Sequence, residues 1–174
     1  MCIRDSANTG GIKLGTKFCL DQTRPGIGLY GIDSYGQNIR LLSKDLILPF
    51  ELHAPIIQIR NVNINQPISY NGIEKTKRKS TLATIGIGYA DGWIRLLKPN
   101  SHFWLYKKRC NILGNITMDS FVLDITDIKD KVFTEGDYFC LLDNSNISSI
   151  IKNSELISYE LLTLLGSRLV REYN

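Results

Sequence analysis

Ile85-Gly86-Ile87-Gly88-Tyr89-Ala90-Asp91-Gly92-Trp93-Ile94-Arg95 decides how the chain is read. Residues 82–87 are an apolar run containing β-branched side chains, which predicts a buried strand. Gly88 ends the run. Asp91-Gly92 signals a turn, because glycine reaches positive φ without a Cβ clash. Tyr89 therefore falls where a strand opens into a loop, a place from which side chains often face a ligand. On this stretch alone, a plain β-turn with a packed aromatic explains the residues equally well.

Composition narrows the classes. The 174 residues suffice for one core, or for a domain plus a piece of another. With 43% hydrophobic and 22% charged residues the chain has globular composition, which argues against disorder. A net charge of +4 is too small to imply nucleic-acid binding. The one dense basic run, Lys75-Thr76-Lys77-Arg78-Lys79, reads as a solvated loop ahead of a strand. Cys2, Cys19, Cys110 and Cys140 form no C-x-x-C pair and read as reduced thiols, so a cytoplasmic location is expected. His53 and His102 are isolated in sequence, so no metal site is expected. No apolar run reaches the roughly 18 residues of a membrane-spanning helix. Residues 1–6 lack the charged and apolar regions of a secretory signal and read as a non-native leader.

Along the chain, Ala7-Asn8-Thr9-Gly10-Gly11 predicts a turn into a short helix, with Thr9 as N-cap. Such a loop can bind phosphate through backbone N–H groups, although a simple cap explains it too. Arg24-Pro25-Gly26-Ile27 reads as a strand end and tight turn. Residues 39–48 carry a helical or extended pattern that Pro49 ends, and a domain boundary is placed there. Residues 51–62 predict a strand, with Pro55 suggesting an edge or a start. Further strands are predicted at 103–106, 110–114, 121–125 and 137–142, and 115–119 reads as strand and loop. Residues 147–151 begin a helical pattern, and 154–165 form the best amphipathic stretch, with Ser158 as an internal N-cap and Gly166 as the stop. Residues 168–173 predict a last short strand.

Six motifs then line up. They are Arg24-Pro25-Gly26-Ile27-Gly28-Leu29-Tyr30-Gly31, Ser69-Tyr70, the opening stretch, Gly114-Asn115-Ile116-Thr117-Met118-Asp119, Ile157-Ser158-Tyr159-Glu160-Leu161-Leu162 and Arg168-Leu169-Val170-Arg171-Glu172-Tyr173. In this order and spacing they resemble the C-terminal part of alanine racemase, the pyridoxal-phosphate enzyme that interconverts L- and D-alanine. The likeness covers residues 7–173 or thereabouts. It implies a mixed, α+β chain: a remnant of a (β/α)8 barrel over 7–48, then a mostly antiparallel β domain over 49–174.

The resemblance also implies roles. Tyr70 becomes an acid/base acting opposite a Schiff-base lysine. Thr9, Arg24, Gly26, Ile27 and Tyr159 become cofactor-binding residues. The backbone N–H of Met118 takes the substrate carboxylate, while Tyr89, Arg95 and Asp119 line an access funnel. Arg24 carries chemical meaning: a guanidinium has no acceptor and stays protonated, so a ring nitrogen facing it stays unprotonated. Asn71 stands where the family has Gly, and Asn tolerates left-handed backbone next best. Asn115 stands three residues before Met118, where the family often has Arg. The family's lysine stretch has no counterpart here, so the chain reads as a fragment, inactive alone. The family's enzyme is a homodimer with shared active sites that supplies D-alanine for peptidoglycan. Rival readings are a serine racemase, a racemase fused to a cell-wall ligase, and a stand-alone β-barrel binding module using residues 75–79.

Overall fold

The computed structural model describes residues 6–19, 21–32, 46–72, 74–97, 102–105, 108–152 and 156–173. The chain opens with β1 (Ser6–Asn8), α1 (Thr9–Lys13) and β2 (Gln22–Arg24). β1 and β2 pair in parallel, with Ser6 opposite Gln22 and Asn8 opposite Arg24. A parallel pair joined through a helix is the connection that barrel architectures use. The helix cap lies one residue earlier than expected: Asn8, extended at φ −80°, accepts the Gly11 N–H at 3.0 Å, and Thr9 is the first helical residue. A 3-10 turn over Ile27–Tyr30 follows. Residues 1–5 of the expected leader lie outside the described residues, as do 39–45 of the pattern before Pro49; residues 46–48 are irregular.

The second part is built on alternation. In β3 (Leu52–Val62), Leu52, Ala54 and Ile56 are buried while His53 is exposed. Next come the short pair β4 (Pro67–Ile68) and β5 (Glu74–Lys75), then β6 (Ser80–Ile85), β7 (His102–Leu105), β8 (Lys108–Leu113), β9 (Phe121–Asp124) and β10 (Tyr138–Leu142). Six of them form an antiparallel sheet in the order β10-β3-β6-β9-β8-β7. Pro55 does not mark an edge strand, since β3 lies between β10 and β6. Its carbonyl accepts the Gly86 N–H at 2.8 Å, one residue beyond the Ile56–Ile85 pair. Ile56 N–H donates to the Asp137 carbonyl on the other side, so the proline nitrogen faces β6, and of the two bonds that Pro55 and Gly86 could exchange only the Gly86 one remains.

The inward faces meet in an aromatic cluster. Trp93 stacks against Phe103 at 6.1 Å and Phe121 at 6.4 Å, and Phe139 meets Phe103 edge-on at 5.3 Å. Such pairs add about 0.5–1.5 kcal/mol each beyond burial. The same core takes in Ile27, Ile32 and Leu48 from the first part and Leu156 and Leu161 from the last. Leu48 is further held to Asn144, which accepts its N–H at 2.6 Å and donates to its carbonyl at 3.3 Å.

Helices close the chain: α2 (Ile147–Lys152) and α3 (Ser158–Leu164). The N-cap of α3 is Ile157 rather than Ser158, whose side chain is buried. Glu160 makes the cap's bond by accepting the Ile157 N–H at 2.9 Å. Residues 168–173 form no strand, because no neighbouring strand among the described residues offers them a ladder. Arg171 instead donates to the carbonyls of Leu165 and Gly166. Residues 115–119 are loop throughout.

Candidate active site

Two groups of candidate residues assemble. The first is on α1, β2 and the turn after β2. Thr9 Oγ1 accepts the Gly28 N–H at 3.2 Å, so the start of α1 is tied to the 3-10 turn. Arg24 ends β2 and donates through Nε to Ser6 Oγ at 2.7 Å. Gly26 precedes the turn, and a Cβ there would meet nothing within 4 Å. Ile27 turns its side chain into the core. Thr9, Arg24, Gly26 and Ile27 therefore lie on adjoining segments, with open space at Gly26.

The second group is built from loops on the β domain. After β6 the chain makes a 3-10 turn over Tyr89–Asp91. Tyr89 N–H donates to the Thr117 carbonyl and Ala90 N–H to the Met118 carbonyl, both at 3.0 Å. This approach requires glycine at 88: an added Cβ would stand 2.3 Å from the Thr117 oxygen and 2.4 Å from that of Met118. Arg95 donates through Nε to the Ile116 carbonyl at 3.3 Å, and its guanidinium stands 5.7 Å from the Tyr89 ring centre. Tyr89, Arg95, Met118 and Asp119 thus share one rim. Tyr89 and Met118 are exposed on it.

Sequence reasoning missed two members of this rim. Arg168 Nη2 contacts Asp119 Oδ1 at 3.0 Å, and its Nε contacts Asp91 Oδ1 at 3.3 Å. Asp91 also accepts the Gly88 N–H through Oδ2 at 2.9 Å. Asp91 signalled only a turn and Arg168 only a strand, so their pairing left no trace in local pattern.

Tyr70 sits in the connection between β4 and β5, 70% exposed. Its neighbours Ser69 and Asn71 take φ 63° and 61°, the left-handed conformation expected of Asn71. Two left-handed residues that are not glycine cost free energy, and they hold the tyrosine outward. The connection is anchored to the loop after β8: Ser69 Oγ donates to the Asn115 carbonyl at 3.4 Å, and Glu74 accepts the Gly114 N–H at 2.7 Å. That loop leads to Met118, so Tyr70 and the rim share a support. Tyr159 is half exposed at the start of α3, and among the described residues no hydrogen bond, ion pair or ring contact of its side chain joins it to either group. The basic run is partly engaged elsewhere: Arg78 grips Asp127 with two bonds, at 2.9 and 2.6 Å. A surface hollow lined by Asn61, Val62, Lys79 and Thr81 holds none of the candidates.

The chain thus carries an exposed aromatic hydroxyl, a rim in which Arg95 and Arg168 stand among Asp91 and Asp119, and a neighbouring hydroxyl and guanidinium. Residues 49–173 match the model of the family described as "Alanine racemase, C-terminal domain", and the chain belongs to that family. The alanine racemase of Rickettsia rickettsii is 36% identical over 171 residues, which is 96% of this chain and 44% of that protein. The crystal structure of alanine racemase from Bartonella henselae with covalently bound pyridoxal phosphate is 38% identical, with a TM-score of 0.77 over 97% of this chain and 46% of that one. The Clostridium difficile alanine racemase in complex with cycloserine is 29% identical, with a TM-score of 0.80 over 95% and 44%. The chain spans less than half the length of these relatives.

Proposed function

We propose that the chain supplies the C-terminal part of a pyridoxal-phosphate-dependent alanine racemase, which makes D-alanine for peptidoglycan in the cytoplasm. Residues 7–48 belong to its barrel and 49–174 to its β domain. The observation that carries the reading is Tyr70, 70% exposed and held outward beside the loop that carries Met118.

The residues of the first group suit the cofactor. A hydroxyl, turn amides and open space at Gly26 fit a phosphate ester, and an exposed guanidinium fits a ring-nitrogen acceptor. Thr9, Gly26, Ile27 and Tyr159 would hold the phosphate end and Arg24 the ring nitrogen. Bound pyridoxal phosphate would draw off the electron pair left when the α-proton of alanine departs. Arg24, by keeping the ring nitrogen unprotonated, limits that withdrawal and so favours simple reprotonation over side reactions. Tyr70 Oη takes or returns the proton on one face, and the Met118 N–H orients the substrate carboxylate. Tyr89, Arg95 and Asp119 restrict access. The lysine for the opposite face comes from outside this chain. A second subunit would then bring Tyr70 to its partner's cofactor, and the 174-residue chain alone is inactive.

In the full-length enzyme, Tyr70→Phe should slow exchange of the α-hydrogen of L-alanine in heavy water by roughly 10²–10⁴-fold, while D-alanine still exchanges through the lysine. Wild-type exchange of both enantiomers in that variant would make Tyr70 a packing residue and refute the assignment.

A further inference from the structure

One cluster has no part in this chemistry. His53 is on the outward face of β3, whose inward face carries Leu52 and Ala54, and Glu51 stands exposed one residue before the strand, two residues from His53. Cys140 on β10 is paired directly opposite His53, and between the buried Phe139 and Leu141 it too points outward. Cysteine is among the residue types most often buried, so a partly exposed one beside an imidazole and a carboxylate is uncommon. One ligand atom from each of Glu51, His53 and Cys140 lies within 4.8 Å of the others. His53 Nε2 and Glu51 Oε2 are already 2.8 Å apart. The β3–β10 ladder shifts register between Cys140 and Leu142, and a bulge of this kind re-aims a side chain.

We propose that Glu51, His53 and Cys140 form a zinc site that staples the end strand β10 to β3, with water as the fourth ligand. Tetrahedral zinc, with bonds of about 2.0–2.3 Å, holds its ligand atoms roughly 3.3–3.7 Å apart. From the present spacing the farthest pair must close by about 1 Å and the Glu51–His53 pair, at 2.8 Å, must open by about 0.5 Å, which small rotations of partly exposed side chains provide. A soft sulfur, an imidazole and one carboxylate select zinc over magnesium or calcium, which take oxygen ligands. As the Zn–S bond forms, the thiol proton leaves to solvent and the thiolate bonds the metal. Asp143 Oδ2, 3.8 Å from the Cys140 sulfur, adds a further negative charge beside the dication.

The test uses the untagged full chain, reduced and stripped of metal, titrated with Co²⁺ alone and then with Zn²⁺. One equivalent of Co²⁺ should give a thiolate-to-cobalt charge-transfer band, and Zn²⁺ should displace it. Cys140→Ser should remove the band. His53→Gln and Glu51→Gln, both at exposed positions, should each weaken Co²⁺ binding by more than about tenfold while leaving the circular dichroism spectrum unchanged. Zn²⁺ should raise the Tm of the wild-type chain and not that of Cys140→Ser. Absence of a band at saturating Co²⁺, or a band undiminished in Cys140→Ser, overturns the proposal. If Cys140→Ser fails to fold, unweakened binding in both other variants overturns it equally.

Discussion

Gly88→Ala should dismantle the rim at its base. The added Cβ would stand 2.3 Å from the Thr117 carbonyl oxygen, whereas ordinary contact begins at 3.4 Å, so the two loops must part by about 1 Å. The Tyr89–Thr117 and Ala90–Met118 hydrogen bonds, now 3.0 Å each, would lengthen to about 4 Å and cease to be hydrogen bonds. Losing them costs about 1 kcal/mol apiece. Forcing a methyl group against backbone adds roughly 1–3 kcal/mol. The alanine returns about 0.4–1 kcal/mol by restricting the unfolded chain. The net loss is about 2–5 kcal/mol, or a Tm drop of roughly 5–20 °C at this chain length. Gly26→Ala is the control, because its φ is −85° and a Cβ there meets nothing within 4 Å. Urea unfolding followed by circular dichroism compares the two variants. Midpoints corresponding to less than about 0.5 kcal/mol between them would show that the loops do not depend on the close approach at Gly88.

Two further outcomes follow from ionisation. Burial, with Asp124 and Asp127 adding to it, pushes the Cys110 thiol up to about 12. Because the thiolate is the reactive form, Cys110 should alkylate at pH 8 roughly a hundredfold or more slowly than an ordinary thiol, and peptide mass spectrometry after iodoacetamide should find it unlabelled until the chain unfolds. The hydrogen bonds and charge of Arg78 hold the Asp127 carboxyl below its usual range. A depressed carboxyl contributes stability that is present above the unfolded value near 4 and is lost as pH falls through the folded one. Asp127→Asn should therefore lower the Tm slightly at pH 7, by no more than about 1 kcal/mol equivalent for so exposed a pair, and leave it unchanged near pH 2.

What local pattern could reveal depended on whether the signal was carried by neighbours in sequence. The alternation of β3 was legible because each side chain reports its own face. The proline within it does not mark an edge, because β10 and β6 flank β3 and the strand simply gives up one donor at Pro55. Both helix caps were one residue off for a related reason. Asn8 and Thr9 are each good caps, and only the backbone angles choose between them. Ser158 lost the cap to Ile157 because its side chain is buried. Residues 168–173 carry β-forming side chains but find no ladder among the described residues, and Arg168 instead reaches the acids at 91 and 119. The Glu51–His53–Cys140 cluster escaped because its third member lies on a distant strand that only the register of β3 and β10 brings alongside.

The arrangement of the two candidate groups bears on how such a site would work. Backbone carries the precision: the Gly88 approach fixes Tyr89 against Met118, and the Ser69–Asn115 bond fixes Tyr70 to the same support. Arg168 adds a strut across that support, joining the turn at Asp91 to the loop at Asp119. The candidate side chains stand outside this frame, with Tyr70, Tyr89 and Met118 all exposed. An acid/base in open water gains little, because solvent competes for its proton and screens the charges it must meet. A site for a molecule as small as alanine has to enclose it. Enclosure would therefore come from a surface laid over this rim, and the partner subunit of the proposed function would be that surface. On that proposal, the stiffness of the rim would keep Tyr70 and the Met118 loop in one geometry for a cofactor held by the partner.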